Sequence, residues 1–397
     1  MEVRVRAGDT LWYYSQLFAL PLPLVIDSNK TAYQSGLQIG GIVNISGFTE
    51  EWYTIKKGDT YWKLASQRNI AVDALVLLNP RYNAQNLQVG SIIRLPLRKI
   101  TRVINGKQEY SYERLVEDLQ QLKKIYPFIE IQSIGNSVLG NELYEIKIGN
   151  GSKRVHINGS FHANEWITTP LVMQFVNDYL VALTTDSSIR GFYMQPFYKE
   201  VTLSIVPMVN PDGVDLVLTG PPNLEPYRSN VLEINKASLD FSNWKANIRG
   251  VDLNNQYPAN WEIEKERKIP KQPAPRDYPG DEPLTEPEAI AMANLTLRSD
   301  FSRVLAFHTQ GEEMYWGYLG LEPPEAAQLA NEYERVSGYK AIRNIDSHAG
   351  FRDWYIYRWR RPGFTIELGS GVNPLPLSQY DEIYEESLGI FLASLYM

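Results

Sequence analysis

Cysteine is absent from this chain, histidine occurs only four times, and no apolar run is long enough to span a bilayer. Without cysteine there are no disulfides and no thiolate metal sites, a composition that suits the cytosol and many bacterial secreted proteins alike. Any metal site must draw on histidine, aspartate and glutamate. Excess positive charge is lacking too: the formal net charge is −7, which argues against a nucleic-acid partner. The first residues, Met1-Glu2-Val3-Arg4-Val5, have neither the basic start nor the apolar core of a secretory leader. Export by another route, a leader already removed, and a cytoplasmic protein all stay open. What the chain does have is bulk. Its 397 residues are 44% hydrophobic, ample for a large core beside smaller domains. It also carries 25 Tyr and 9 Trp, rings that line carbohydrate and peptide clefts as well as cores.

Two of the four histidines sit where chemistry is expected. The apolar run Arg154–Phe161 ends in His162-Ala163-Asn164-Glu165-Trp166. An imidazole and a carboxylate at i and i+3 can converge on one ion where a strand turns into a helix, and zinc favours such N and O donors. A lone His-x-x-Glu pair is common by chance. A third ligand raises its meaning: His308 ends a second apolar strand, Ser302–Phe307. A third such strand, Phe364-Thr365-Ile366-Glu367-Leu368-Gly369, carries one carboxylate, costly there unless paired or functional. Two histidines and one glutamate as ligands, with a free glutamate as general base, make a complete set for metal-assisted amide hydrolysis.

These residues stand in the order and context of a known family. From about residue 105 to the end, the chain resembles the zinc carboxypeptidases of the carboxypeptidase A type. The matching motifs are His162-x-x-Glu165-Trp166, Asn210-Pro211-Asp212-Gly213, Gly250-Val251-Asp252-Leu253-Asn254, Phe307-His308 and Thr365-Ile366-Glu367-Leu368. The resemblance implies one zinc per chain on His162, Glu165 and His308, with Glu367 activating water and then protonating the leaving amine. It implies that Asp252 orients His162 through its other ring nitrogen. The departures matter as much. The family holds the substrate's terminal carboxylate with an Asn-Arg pair; Asn254 is present, but Asn255 replaces the arginine and cannot supply its bidentate fork. Lys245, after Trp244, stands for the family's transition-state arginine, and Asn164 for the arginine of the zinc motif. The family's mobile tyrosine has no clear match; Ser347 and His348 lie nearby. Zinc chemistry is thus expected with weakened exopeptidase recognition. Counting back from Glu367, the resemblance puts Arg352, in a strand region with Asp353 and Trp354, in the pocket that reads the residue after the scissile bond. There it would select a carboxylate-bearing side chain; the competing reading is that it pairs with Asp353.

The first quarter of the chain repeats itself. Gly8-Asp9-Thr10 recurs as Gly58-Asp59-Thr60, Asn29 as Asn79, Leu37 as Leu87 and Gly40 as Gly90, all at one offset. Each unit reads as strand, turn, helix, Asn-containing loop, helix, strand. This resembles LysM modules, implying two small βααβ units over 1–48 and 51–97. It implies binding of N-acetylglucosamine chains in a groove between Gly8-Asp9-Thr10 and Asn29, and between Gly58-Asp59-Thr60 and Asn79. The first unit lacks a proline after Asn29 and closes on Asn44-Ile45-Ser46 instead of Leu95-Pro96. A spacer role is the competing reading.

After a short linker, strands and helices alternate from about 100 to 397, which predicts an α/β catalytic domain with a mixed sheet flanked by helices and ligands at strand ends. Residues 219–285 read as long loops around a cleft. A glycan module joined to a zinc amidase points to the peptides attached to that glycan. The whole chain resembles bacterial γ-D-glutamyl-L-diamino acid endopeptidases, which implies peptidoglycan glycan strands and stem peptides as partners, cleavage of the γ-D-glutamyl to meso-diaminopimelate (L-diamino acid) amide bond, and a place at the cell wall or outside the cell. Two other classes remain: a metallo-carboxypeptidase acting on protein or peptide C-termini, and a non-catalytic peptidoglycan- or chitin-binding protein.

Overall fold

Gly8-Asp9-Thr10 and Gly58-Asp59-Thr60 do the same mechanical work in the computed structural model, which describes residues 1–397. Each glycine takes φ +84, a conformation that costs other residues dearly. Each aspartate accepts a backbone N–H three residues back, Arg6 at 2.9 Å and Lys56 at 2.8 Å. Each threonine caps the next helix, accepting from Tyr13 at 3.0 Å and Lys63 at 3.1 Å. The first repeat runs β1 (Glu2–Arg4), α1 (Leu11–Leu17), α2 (Leu22–Asp27), a short extra α3 (Lys30–Ser35) and β2 (Ile42–Asn44). The second runs β3 (Phe48–Thr54), α4 (Tyr61–Ser66), α5 (Val72–Leu78) and β4 (Ile92–Arg98). In each, first and last strands pair antiparallel.

Asn29 and Asn79 lie after the second helix of each repeat, not between the helices as the repeat pattern suggested. Both are buried, and both clamp the closing strand. Asn29 donates to the carbonyls of Val25 and Asn44 and accepts the N–H of Asn44. Asn79 does the same with Leu75 and Arg94. Both amide N–H groups of each are donated to backbone carbonyls, so the fold gives these side chains a clamping role. Asp9 and Asp59 are likewise engaged within their turns, by Tyr14 and Tyr53 hydroxyls among others. The repeats also share a core: Ala74, Leu77 and Leu78 of the second pack with Leu11, Tyr14 and Val43 of the first. Arg6 and Asp73 bridge them at 2.6 Å.

By compactness the chain divides into two units, one made of residues 1–104, 118–130 and 176–196, the other of 105–117, 131–175 and 197–397. The first therefore includes more than the repeats. Gly47 donates to the Ile125 carbonyl at 2.8 Å, and Arg98 to that of Thr184 at 2.6 Å.

The remaining elements are α6 (Tyr112–Ile125), β5 (Glu130–Asn136), β6 (Glu142–Ile148), β7 (Lys153–Gly159), α7 (Thr168–Thr185), the small hairpin β8 (Ser188–Ile189) and β9 (Phe192–Tyr193), α8 (Met194–Glu200), β10 (Val201–Val206), α9 (Pro211–Thr219), α10 (Tyr227–Ile234), α11 (Trp261–Arg267), α12 (Pro287–Ser299), β11 (Arg303–Thr309), β12 (Glu313–Tyr315), α13 (Pro324–Ser337), β13 (Lys340–Ile342), α14 (Phe351–Trp359), β14 (Gly363–Leu368) and α15 (Tyr380–Tyr396). Eight strands form one mixed sheet in the order β13-β12-β14-β11-β7-β10-β6-β5, with β14, β11, β7 and β10 parallel at its centre. Interior parallel strands are covered on both faces, so they read as continuous apolar runs; all seven residues of β11 are buried. Residues 351–359, expected as strand around Asp353 and Trp354, are helix instead. Asp353 accepts the N–H of Gly350 at 3.2 Å and so caps the start of α14.

Candidate active site

The sheet's topology brings the sequence-predicted ligands together. β7 and β11 are parallel neighbours, so the chain emerging from each reaches the same edge, and crevices outside the carboxyl ends of such strands hold the sites of open α/β sheets. A short 3-10 turn, Ala163–Glu165, follows β7 and swings Glu165 back beside His162. One ligand atom from each of His162, Glu165 and His308 lies within 4.8 Å of the others. The Nδ1 atoms of the two histidines are 3.2 Å apart. Glu165 reaches one with each oxygen, Oε1 to His162 and Oε2 to His308, both at 2.9 Å. Two imidazole nitrogens and a carboxylate turned inward on one point can hold a cation between them, and N,N,O donors fit zinc.

The surroundings prepare that point. His162 Nε2 lies 3.3 Å from Asp252 Oδ1, so with a metal on Nδ1 the ring's remaining proton would sit on Nε2. Asp252 is itself fixed by the N–H groups of Asn254 at 3.1 Å and Asp277 at 3.2 Å. Burial resists charge on His162, but Glu165 and Asp252 outweigh it and raise its pKa to about 9. Burial likewise works against ionised Glu165; His162, Lys245 and His308 prevail and hold it well below the usual carboxylate range. The Lys245 ammonium stands 3.0 Å from Glu165 Oε1.

Glu367 is opposite His308 in the β11–β14 ladder. Burial, and then the charge of Glu165, push its pKa up to about 8. Glu313 is opposite Glu367 on the other side, in antiparallel β12. β12 is only three residues long, too short to show a strand period in sequence.

The other expected substrate contacts are dispersed. Asn254 accepts the Phe351 N–H at 3.1 Å, which ties its carbonyl to the start of α14. Asn255 is buried. His348 is engaged by Tyr318, whose hydroxyl is 2.9 Å from its Nδ1, and its N–H donates to Glu264 at 3.1 Å; neither partner belongs to the metal cluster. Arg352 is paired with Asp353, as the competing reading had it, through Nε at 3.0 Å and through Nη2. The fourth histidine, His156, is core: burial lowers its pKa to about 3, and it stacks on Phe301.

Comparison with known proteins decides the family. The zinc carboxypeptidase family model matches residues 115–388. The chain belongs to the zinc carboxypeptidase family. It is therefore a zinc metallopeptidase, and its buried N,N,O cluster is the candidate seat of the metal. A LysM domain model matches residues 53–96, the second repeat. The chain is 52% identical over 397 residues to a Lysinibacillus sphaericus protein named gamma-D-glutamyl-L-diamino acid endopeptidase 1, covering 100% of each. It is 46% identical to a Bacillus subtilis (strain 168) protein, uncharacterized protein YqgT, over 74% of this chain and 79% of that one. Among solved structures, thrombin activatable fibrinolysis inhibitor matches with a TM-score of 0.57 at 20% identity, over 73% of this chain and 74% of that one, a likeness of fold. No helix is long and apolar enough to cross a membrane.

Proposed function

We propose that this zinc carboxypeptidase-family protein hydrolyses the amide between the γ-carboxyl of D-glutamate and an L-diamino acid in peptidoglycan stem peptides, held at the wall by its LysM repeats. The observation that carries this reading is the match to the Lysinibacillus enzyme along the whole of both chains, repeats included. Asn255 supports it: without the family's arginine, a free C-terminal carboxylate loses its bidentate partner.

Zinc, when bound, polarises the scissile carbonyl and acidifies water beside it. His162, Glu165 and His308 would hold the metal, and Asp252 would keep His162 in the ligating tautomer. Glu367, with a proton affinity raised by burial, takes the proton from the attacking water and passes it to the departing amine of the diamino acid. Lys245 carries positive charge into the same crevice and stabilises the oxyanion as it forms.

The LysM part of the reading rests on surface groups other than the motif residues. Trp12 and Trp62 stand at the same place in the two repeats and are 61% and 72% exposed. Ile39 and Val89, and Ile42 and Ile92, are likewise equivalent and exposed. Exposed apolar side chains that recur at one offset suit a repeated ligand, and indole faces suit sugar rings. The test is a comparison of kcat/KM on two isomeric peptides, one linked through the γ-carboxyl of D-glutamate and one through the α-carboxyl of L-glutamate. Preference for the γ-linked isomer supports the reading, and preference for the other returns the protein to ordinary carboxypeptidase action.

A further inference from the structure

At the sheet edge away from the candidate metal centre, one face of the sheet turns from apolar to cationic. Under α12 that face is core: Leu143, Val206 and Val304 pack with Met292 and Leu295. Strand register then brings polar side chains onto it. Lys147, Ser204 and His156 stand opposite one another across β6, β10 and β7, and Thr202 stands opposite Arg154 one step nearer the edge. Arg154 is the second residue of β7, whereas His162 follows that strand's other end, so the two lie at opposite edges.

Where α12 ends at Ser299, a cavity of about 390 Å³ opens over these residues. Its charged lining is Glu145, Lys147, Arg154 and Arg298. The one acid is answered from within the wall. Glu145 is fully buried and accepts from Ser204 Oγ and Gln132 Nε2, both at 2.6 Å, with Lys147 Nζ 3.7 Å away. The two arginines are not answered. Arg154 gives Nη1 to the Ser299 carbonyl at 2.9 Å, and neither it nor Arg298 meets a carboxylate; Asp300, close by in sequence, is taken by Arg361 at 2.8 Å. Three cations against one anion make the cavity positive in a chain whose net charge is −7. A concavity lined by one sign of charge focuses its field and concentrates ligands of the opposite sign.

We propose that this cavity is an accessory binding site for a small, doubly charged oxyanion, a phosphate ester or a dicarboxylate. Arg154 and Arg298 present planar forks that match either group, and Lys147 adds a point charge. Glu145 repels an anion from the depth of the cavity, so the charged head is held at the rim between the arginines. The volume suits a ligand the size of a sugar phosphate or a dipeptide. The site is separate from amide hydrolysis, because the metal cluster lies at the other edge of the sheet.

The experiment is calorimetric titration of the zinc-loaded full chain with inorganic phosphate and, separately, with glutarate, at one ionic strength set by sodium chloride. Either anion can also bind zinc, so each titration is repeated on the double variant Arg154→Gln, Arg298→Gln, which alters exposed side chains only. The unmodified chain should bind about tenfold or more tightly than the double variant, the scale of one charge-assisted hydrogen bond. Its kcat/KM on a small γ-linked peptide should match that of the variant. Arg298→Gln alone should weaken binding in the same direction, which keeps the test intact if the Arg154 change disturbs the Ser299 turn. Tighter binding of phosphate assigns the natural ligand to phosphate esters, and tighter binding of glutarate assigns it to carboxylate-bearing peptides. Binding that the variants leave unchanged, or no binding above the chloride background, would overturn the site. A fall in kcat/KM in step with the loss of anion binding would place the arginines in the catalytic crevice and overturn it as well.

Discussion

His308 and Glu367 lie directly across from each other in the parallel ladder of β11 and β14, each one residue from the end of its strand. Neighbouring strands run about 4.8 Å apart, so this register alone holds the candidate metal ligand and the proposed base at a fixed short separation. Neither depends on a mobile loop.

Glu367→Gln keeps the shape of the side chain and removes the base. Turnover should fall by about two orders of magnitude or more, with zinc content and thermal stability unchanged. Steady-state kinetics with metal analysis checks this. Near-normal turnover would move the base elsewhere, and Glu313 across the strand is the first candidate.

Asp252 does not point at the metal position; it fixes the ring that does. Asp252→Ala should weaken zinc affinity about ten- to a hundredfold, the usual range when a ligand histidine loses its outer partner. Competition with a chromophoric chelator measures the change, and unaltered affinity would leave Asp252 as a loop anchor for Asn254 and Asp277.

The repeats cannot be tested by cutting them off. Removing residues 1–96 would uncover the Ile125 carbonyl that Gly47 caps and take away the Phe18 carbonyl that accepts from Arg98. The double variant Trp12→Ala, Trp62→Ala alters exposed groups only and should leave the fold within about 0.5 kcal/mol of wild type. It should leave hydrolysis of small soluble peptides intact and lower co-sedimentation with sacculi several-fold, because tethering raises local concentration without touching the zinc crevice. Equal loss on both substrates would tie the repeats to the catalytic step.

Glu288 in α12 is fully buried among Asp212, Glu286 and Asn247. Burial, then Asp212, raise its pKa to about 8 from 4.5. The folded protein therefore holds this proton more tightly than the unfolded chain does. Stability from that proton is full below pH 4.5 and is lost as pH rises toward 8. Glu288→Gln needs no proton, so relative to wild type it should gain on the order of 1–3 kcal/mol at pH 8 and little at pH 4.5. Denaturant melts at the two pH values give the comparison; a pH-independent difference would mean that Glu288 ionises freely in the fold.

The parts of the site legible in sequence were those where one polar residue interrupts a buried strand. Glu367 in β14 and His308 in β11 stand out because interior parallel strands are otherwise apolar. His162 and Glu165 were legible through their spacing. The Gly-Asp-Thr turns were legible because left-handed glycine and a threonine cap leave a chemical signature. The clamping role of Asn29 and Asn79 was not legible, because an asparagine that clamps two backbone segments recurs as regularly in a repeat as one that binds sugar. β12 was invisible because a three-residue strand has no periodicity, and its place comes only from the antiparallel register with β14. The α14 helix was missed because its aromatic-rich run, Phe351–Trp359, has strand-like composition.

The central claim is which bond is cut, and mass spectrometry of the products from L-Ala-γ-D-Glu-meso-diaminopimelyl-D-Ala tests it most directly. Zinc-loaded protein should release L-Ala-D-Glu and diaminopimelyl-D-Ala, and neither product should form after chelation or with Glu367→Gln. Release of the terminal D-Ala with the γ-bond intact would contradict the account and make the protein a carboxypeptidase.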